Sequence, residues 1–290
     1  MPENVPFWKV ESIGNDFVLV NAEDVTKLAP KNVDGFLARL ANLACERRFG
    51  IGSDGLLVVS KTSSGLHLRM FNPDGTEDFC GNGLRCAARH GFAQGWVSGQ
   101  FSIDHLGQRV EAEVVDDVIV RTVLGAAQYS PEKVPVKGNA ELFNTTVWSG
   151  MVDGQPLSLF GSALTTGSTH VIIKTATLPD DDSFRSISAA IENDPMFPER
   201  TSVIWVKMER PMVLAVRIWE RGAGETFGCG TGSAAAAADY LRRTGQGGSV
   251  TVINPGGDLS ISAKAWNEPL TVQGSATTIY QGFYPTRDLL

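Results

Sequence analysis

The chain has 290 residues, enough to bury a core in one large domain or two of ordinary size. Hydrophobic residues make up 42% and charged residues 20%, a globular rather than a disordered or membrane-embedded composition. The net charge of −7, with no dense Lys/Arg cluster, argues against a nucleic-acid or membrane-surface partner and leaves a small molecule as the expected one.

Along the chain the pattern is mixed α/β. Residues 17–20 and 56–59 are short apolar runs of strand type, and between them 33–47 carries Phe36, Leu37, Leu40 and Ala44 at helical spacing. A helix is expected over 84–93, stopping near Gly95. It is followed by a hairpin: 101–104 alternates, turns at Leu106-Gly107 and returns through 110–114. Residues 126–138, with Pro131 and Pro135, read as the crossing between domains. Asp180-Asp181-Asp182-Ser183 predicts a helix start before 184–191, and 203–208 and 213–219 read as strands. An Ala-rich helix over 233–243 is expected to stop at Gly245, and a second hairpin runs 250–252, turns over 254–257 and returns through 259–262. The apolar stretch around 234–238 is far too short to span a bilayer. The opening Met1-Pro2-Glu3-Asn4-Val5-Pro6 has neither a basic region nor an apolar one, so a cytoplasmic protein is expected.

The four cysteines, Cys45, Cys80, Cys86 and Cys229, form no C-x-x-C pair, which argues against a zinc knuckle or a thioredoxin-like redox site. The four histidines, His67, His90, His105 and His170, show no metal-ligand spacing, and no metal is expected. Two of the cysteines share a context. Gly75-Thr76-Glu77-Asp78-Phe79-Cys80-Gly81-Asn82-Gly83 is echoed by Gly224-Glu225-Thr226-Phe227-Gly228-Cys229-Gly230-Thr231-Gly232, about half the chain later. Each copy leads into a helix and then a hairpin, so two similar domains are expected. A lone cysteine beside glycine is usually structural, and Cys45 and Cys86 are read as core. A packing turn, however, does not need cysteine in both copies.

A thiol at the start of a helix meets outward-pointing N–H groups and a partial positive charge, which lower its pKa. One such thiol could be a nucleophile, a redox group or a general base. Two of them, with two helix N-termini to hold a carboxylate, could flank one α-carbon. One thiolate removes its proton, the opposite thiol returns one to the other face, and N–H donors stabilise the charge that develops.

The two cysteine segments, Asn72-Pro73-Asp74-Gly75 through Cys80-Gly81-Asn82-Gly83-Leu84-Arg85-Cys86 and Glu220-Arg221-Gly222 through Cys229-Gly230-Thr231-Gly232, resemble the two signatures of the diaminopimelate epimerase family. Gly14-Asn15-Asp16-Phe17, Gly50-Ile51-Gly52-Ser53-Asp54-Gly55, Thr166-Gly167-Ser168-Thr169-His170, Phe197-Pro198-Glu199-Arg200 and Tyr280-Gln281-Gly282-Phe283 extend the resemblance over nearly the whole chain. It implies an α/β (α+β) fold of two pseudo-symmetric domains, each a curved, mainly antiparallel sheet wrapped around a central helix. The expected domains are 1–126 plus 275–290, carrying Cys80, and 127–274, carrying Cys229, with the active site in a cleft. The implied activity is the interconversion of LL- and meso-diaminopimelate, for lysine and peptidoglycan synthesis, by a homodimer that needs no cofactor.

The resemblance makes Cys80 and Cys229 the acid/base pair. Gly81, Asn82, Gly230 and Thr231 would donate to the reacting carboxylate, and Asn15 and Asn72 would contact substrate. Glu220 and Arg221 would bind the distal amino and carboxylate groups. His170 matches a histidine near the first cysteine that could assist. The chain departs from the pattern at Thr169, where proline is usual. Ser168 stands where some members have asparagine. Ser202, followed by Ile204-Trp205, stands where asparagine usually holds the distal end of the substrate. Serine cannot offer both an amide donor and an acceptor. Ser202 and Trp205 therefore leave open a racemase of another amino acid, such as histidine. A thiol redox protein and a non-catalytic amino-acid binding protein are the remaining alternatives.

Overall fold

The computed structural model describes residues 4–28, 31–152, 154–287 and 289. The chain forms two compact units, Met1–Thr122 with Gly274–Leu290, and Val123–Gln273. The 126–138 segment lies inside the second unit, where Val134 and Val136 join its core, so it does not run between units as its prolines suggested.

The first unit contains β1 (Asn4–Ser12), β2 (Asn15–Asn21), α1 (Ala22–Leu28), α2 (Val33–Ala44), β3 (Gly55–Lys61), β4 (Gly65–Phe71), α3 (Gly81–Ala93), β5 (Gln100–His105) and β6 (Gln108–Val114). The division between units falls within β7 (Ile119–Leu124). The second unit holds β8 (Thr145–Val152), β9 (Gln155–Thr165), β10 (Thr169–Thr175), α4 (Asp181–Glu192), β11 (Ser202–Arg210), β12 (Val213–Glu220), the short β13 (Gly224–Thr226), α5 (Gly230–Thr244), β14 (Gly248–Asn254), β15 (Gly257–Ala263) and most of β16 (Leu270–Ser275), within which the second division falls. The last strand, β17 (Thr277–Pro285), returns to the first unit and pairs with β1.

Strand pairing gives the internal duplication a structural form. In the first unit the order is β17-β1-β2-β3-β4-β5-β6, with β2/β3 and β4/β5 parallel and the other pairs antiparallel. In the second it is β8-β9-β10-β11-β12-β14-β15-β16, with β10/β11 and β12/β14 parallel and the rest antiparallel. Each parallel pair is joined by a helical crossover: α1 and α2, then α3, in one unit, and α4, then α5, in the other. The two units therefore share one mainly antiparallel topology. The position of β8 in the second is filled in the first by the end of the chain.

Sheet residues alternate between two buried faces. Phe17, Leu19, Leu57 and Val59 pack with Leu84, Ala87 and Ala88 of α3. Val18, Val20, Leu56 and Val58 pack with Phe36, Leu37 and Leu40 of α2. The central helix α3 is buried on nearly every side, touching β1, β3, β4, β6 and β17, and α5 is enclosed likewise by strands of its own unit. This explains the small side chains at 234–238: a sheet wrapped around a helix leaves room for little more than a methyl group.

Local capping follows the sequence. The Asp180 side chain accepts from Ser183 N to start α4, and Gly245, at φ 66°, ends α5 in the left-handed conformation. Helix α2 is three residues shorter than its apolar spacing suggests, because the chain turns after Cys45 and Gly50 N donates back to Glu46 O. Cys45 and Cys86 are buried in apolar clusters. Among the described residues, no helix is long and apolar enough to cross a membrane.

Candidate active site

Each of the two cysteines is the N-cap of its unit's central helix. Cys80 precedes α3 at φ −134°, ψ 108°, and Cys229 precedes α5 at φ −129°, ψ 116°. The Cys80 Sγ accepts from Gly83 N at 3.3 Å, and the Cys229 Sγ accepts from Gly232 N at 3.3 Å. A cap of this kind satisfies one of the N–H groups that a helix cannot satisfy internally. The earlier residues of each first turn, Gly81 and Asn82 in one unit and Gly230 and Thr231 in the other, present N–H groups suited to an anion.

The second glycine of each motif has a steric reason. A Cβ on Gly83 would lie 3.0 Å from Leu57 Cδ2 and 3.5 Å from the Cys80 sulfur. On Gly232 it would lie 2.7 Å from Ile204 Cδ1 and 3.3 Å from the Cys229 sulfur. Leu57 on β3 and Ile204 on β11 occupy matching strands, so the same crowding recurs in both halves.

In the first unit, α3 is braced by Arg85, a fully buried cation that sequence reasoning passed over. Its Nε donates to Ser12 Oγ at 3.0 Å, one Nη to Gly81 O at 3.4 Å and the other to Asn82 Oδ1. Asn15 donates from Nδ2 to Asp54 at 3.1 Å, which leaves its carbonyl oxygen as the group able to meet an ammonium. Asp54 also accepts from Asp16 N and Arg47. Burial, with the neighbouring Asp16 adding to it, raises the Asp54 pKa. Asn72 belongs to a tight turn, its N bonded to Thr76 O and its Nδ2 to Thr76 Oγ1 at 3.1 Å. The Cys80 N–H is held by His105 Nε2 at 3.1 Å, a contact the sequence did not signal.

The second unit gathers Ser168, His170, Ser202, Glu220, Arg221, Gly230 and Thr231 with Cys229. His170 Nε2 lies 3.0 Å from Ser168 Oγ, which lies 3.2 Å from Thr231 Oγ1, which lies 3.4 Å from Cys229 Sγ. A chain of polar groups therefore runs from a fully buried imidazole to the sulfur. Burial, with a smaller contribution from Arg221, pushes the His170 pKa down to about 3, so the ring is neutral. Its Nδ1 has no partner among the described residues. An unpaired acceptor costs less there than an unpaired donor, which favours the Nε2–H tautomer pointing at Ser168. Thr166 Oγ1 donates to Thr231 O at 2.8 Å and fixes the other side of this turn.

Two expectations are corrected. A thiol at a helix start was expected to have a lowered pKa. Burial, and then the Glu220 carboxylate beside it, instead raise the Cys229 thiol well above its ordinary value, although the Thr231 hydroxyl and Gly232 N–H pull the other way. Glu220 thus stands next to Cys229, and its Oε1 accepts from Thr226 Oγ1 at 2.7 Å. Trp205, read together with Ser202 as leaving another substrate open, does not share a face of β11 with it. It faces the other side of β11, packs among Val171, Val203 and Phe184, and donates from Nε1 to Ser188 Oγ at 2.9 Å. Ser202 is buried, and its Oγ accepts from Arg221 N at 3.1 Å, so this hydroxyl holds the backbone of the Glu220-Arg221 turn. The Arg221 side chain donates to Glu199 O at 3.2 Å.

Proteins of known structure share this arrangement of strands and helices. A probable proline racemase from Agrobacterium radiobacter superimposes with a TM-score of 0.66 over 96% of this chain and 92% of its own, at 11% identity. A hydroxyproline epimerase from Agrobacterium vitis gives 0.66 over 97% and 90%, also at 11% identity. The fold is that of these pseudo-symmetric racemases and epimerases. A sequence model of diaminopimelate epimerase matches residues 7–130 and 162–279. The diaminopimelate epimerases of Moorella thermoacetica and Pelotomaculum thermopropionicum are 32% and 34% identical to it, over 96% and 97% of this chain and 99% of each relative. The chain belongs to the diaminopimelate epimerase family.

Proposed function

We propose that the protein interconverts LL- and meso-diaminopimelate, with Cys80 and Cys229 as the acid/base pair at the α-carbon. The matched N-cap geometry of the two cysteines carries this reading, since each sulfur sits beside N–H groups able to hold a carboxylate. In one direction the Cys80 thiolate takes the α-proton and the Cys229 thiol gives its own to the opposite face. In the reverse direction the roles exchange. Burial and Glu220 both favour the protonated form of Cys229, which suits it to the donor role before turnover. N–H groups of Gly81, Asn82, Gly230 and Thr231 stabilise the negative charge that grows on the carboxylate as the proton leaves. The Asn15 carbonyl suits the α-ammonium, while Asn72, Ser168, Ser202, Glu220 and Arg221 complete the contacts to substrate.

The test is exchange in deuterated water. Reduced protein without added cofactor should convert LL-diaminopimelate to the meso form with deuterium at the inverted carbon. Cys80→Ala and Cys229→Ala should each abolish inversion. Folded, reduced protein that exchanges nothing would reject this substrate. A second reading, a racemase of another amino acid, is favoured by Ser202, which stands where the family usually has asparagine and has a hydroxyl in place of an amide, with its oxygen accepting from Arg221 N. Turnover of histidine without diaminopimelate would select it.

A further inference from the structure

His105 ends β5, where Leu106 at φ 47° and Gly107 at φ 74° form a two-residue turn and His105 pairs with Gln108. The ring is fully buried. Its Nδ1 lies 3.0 Å from Leu68 O, on the neighbouring strand, and its Nε2 lies 3.1 Å from Cys80 N. Both partners have fixed roles. A carbonyl can only accept and a peptide N–H can only donate, so the ring must be neutral with its proton on Nδ1. The ring also stacks on Phe79, with centroids 4.9 Å apart and planes 24° from parallel. One ring thus meets both the Phe79 side chain and the Cys80 amide.

The duplicated unit has a counterpart that works differently. Asn254 ends β14 and pairs with Gly257 across its own two-residue turn. Its Oδ1 accepts from Ser233 Oγ at 2.8 Å and its Nδ2 donates to Val252 O at 3.1 Å. Each hairpin thus sends one buried polar side chain to the start of the central helix. Asn254 grips α5 four residues past its cysteine, whereas His105 grips the cysteine itself.

We infer that His105 is a positioning residue for Cys80: its neutral Nδ1–H form holds the Cys80 N–H and so sets where the Cys80 sulfur points. The inference rests on Cys80 being one of the acid/base groups. A protonated ring would set a second N–H against that of Cys80 and break the hold. The charged and titratable groups facing the ring are Glu77 and Asp78 in the segment before Cys80, and His67 on β4. Burial keeps the ring neutral against the Leu68 carbonyl and the two carboxylates, which favour the protonated form, and His67 opposes them as well. Acid should therefore release Cys80 while leaving the Cys229 turn in place.

The test compares His105→Phe, which keeps the ring and its stacking but has no nitrogen, with His105→Gln, whose Oε1 can again accept from Cys80 N. Iodoacetamide labelling of the intact protein across pH, read cysteine by cysteine by peptide mass, needs no substrate. In His105→Phe the labelling midpoint of Cys80 should rise, because the sulfur loses its alignment with Gly83 N, while that of Cys229 stays. Cys45 and Cys86 should remain unlabelled. In the exchange assay kcat should fall on the order of tenfold or more with KM little changed, and His105→Gln should recover most of both losses. An unchanged Cys80 profile in His105→Phe overturns the inference, as does a His105→Gln variant no better than His105→Phe. Labelling of Cys86 together with Cys80 also overturns it, since that marks general loosening of α3. Failure of the wild-type protein to exchange α-hydrogen, with the labelling pattern as expected, counts against the substrate assignment and not against the positioning role.

Discussion

At the scale of single residues, the two cysteines share a backbone conformation but differ in the groups around them. The Thr231 hydroxyl is one of two groups that favour the Cys229 thiolate against burial. Thr231→Val, nearly equal in volume, should raise the pH at which Cys229 is alkylated, leave Cys80 unchanged and reduce kcat. Equal shifts at both cysteines would show that the hydroxyl acts on the fold and not on one sulfur. Trp205 gives a complementary prediction. Trp205→Phe should leave KM and kcat near wild type but cost about 1–3 kcal/mol, because the buried Ser188 hydroxyl loses its donor. Urea unfolding and steady-state kinetics on one preparation would separate the two effects. The facing of Trp205 was not legible in the sequence. Strand β11 is buried on both faces, so 203–206 is a continuous apolar run with no alternation to say which side chain looks toward α5.

At the scale of elements, helix starts and turns were the legible part. The Gly-x-Gly after each cysteine, the Asp180 cap and the Leu106-Gly107 turn are local signals, and the structure places each where the residue types require it. What the chain could not announce is contact made by folding back. His105 lies well beyond Cys80 in sequence and reaches it only because β5 runs parallel to β4 and ends beside the α3 cap. The matched glycines give a prediction about these caps. Alanine in a helix is favoured over glycine by about 1 kcal/mol, yet a Cβ at Gly232 meets Ile204 Cδ1 at 2.7 Å. Overpacking of this kind costs about 1–3 kcal/mol, so Gly232→Ala should be destabilising. Ile204→Val removes that Cδ1 and should recover part of the loss in the double variant. Gly83→Ala, facing Leu57 at 3.0 Å, should be milder. Chemical denaturation of the four variants gives the comparison, and additive losses in the double variant would contradict it.

At the scale of the whole molecule, three buried histidines are held neutral. Burial pushes His90 down to about 4 and His170, with help from Arg221, to about 3, and it lowers His105 as well. The unfolded chain binds protons at these positions more readily than the folded one does. Their contribution to stability is therefore complete above the ordinary histidine pKa of about 6.5 and is lost progressively as pH falls toward the folded values. The urea midpoint should be lower at pH 5 than at pH 7. His90→Gln should shrink that difference, whatever it does to stability at pH 7, and an unchanged difference would exclude His90 as a contributor.

The return of β17 to pair with β1 also has a consequence for how the protein is made. The second unit is a continuous stretch, Val123–Gln273, and every strand it needs has been synthesised before β17 appears. The first unit, although translated earlier, must wait with β1 unpaired along one edge until the ribosome has delivered Thr277–Pro285. The first unit is therefore expected to complete its fold after the second, although it is synthesised first. In a released chain ending at residue 276, which keeps β16 and lacks β17, the second unit should resist protease while the first does not, and equal resistance of both would show that the first unit folds without its last strand.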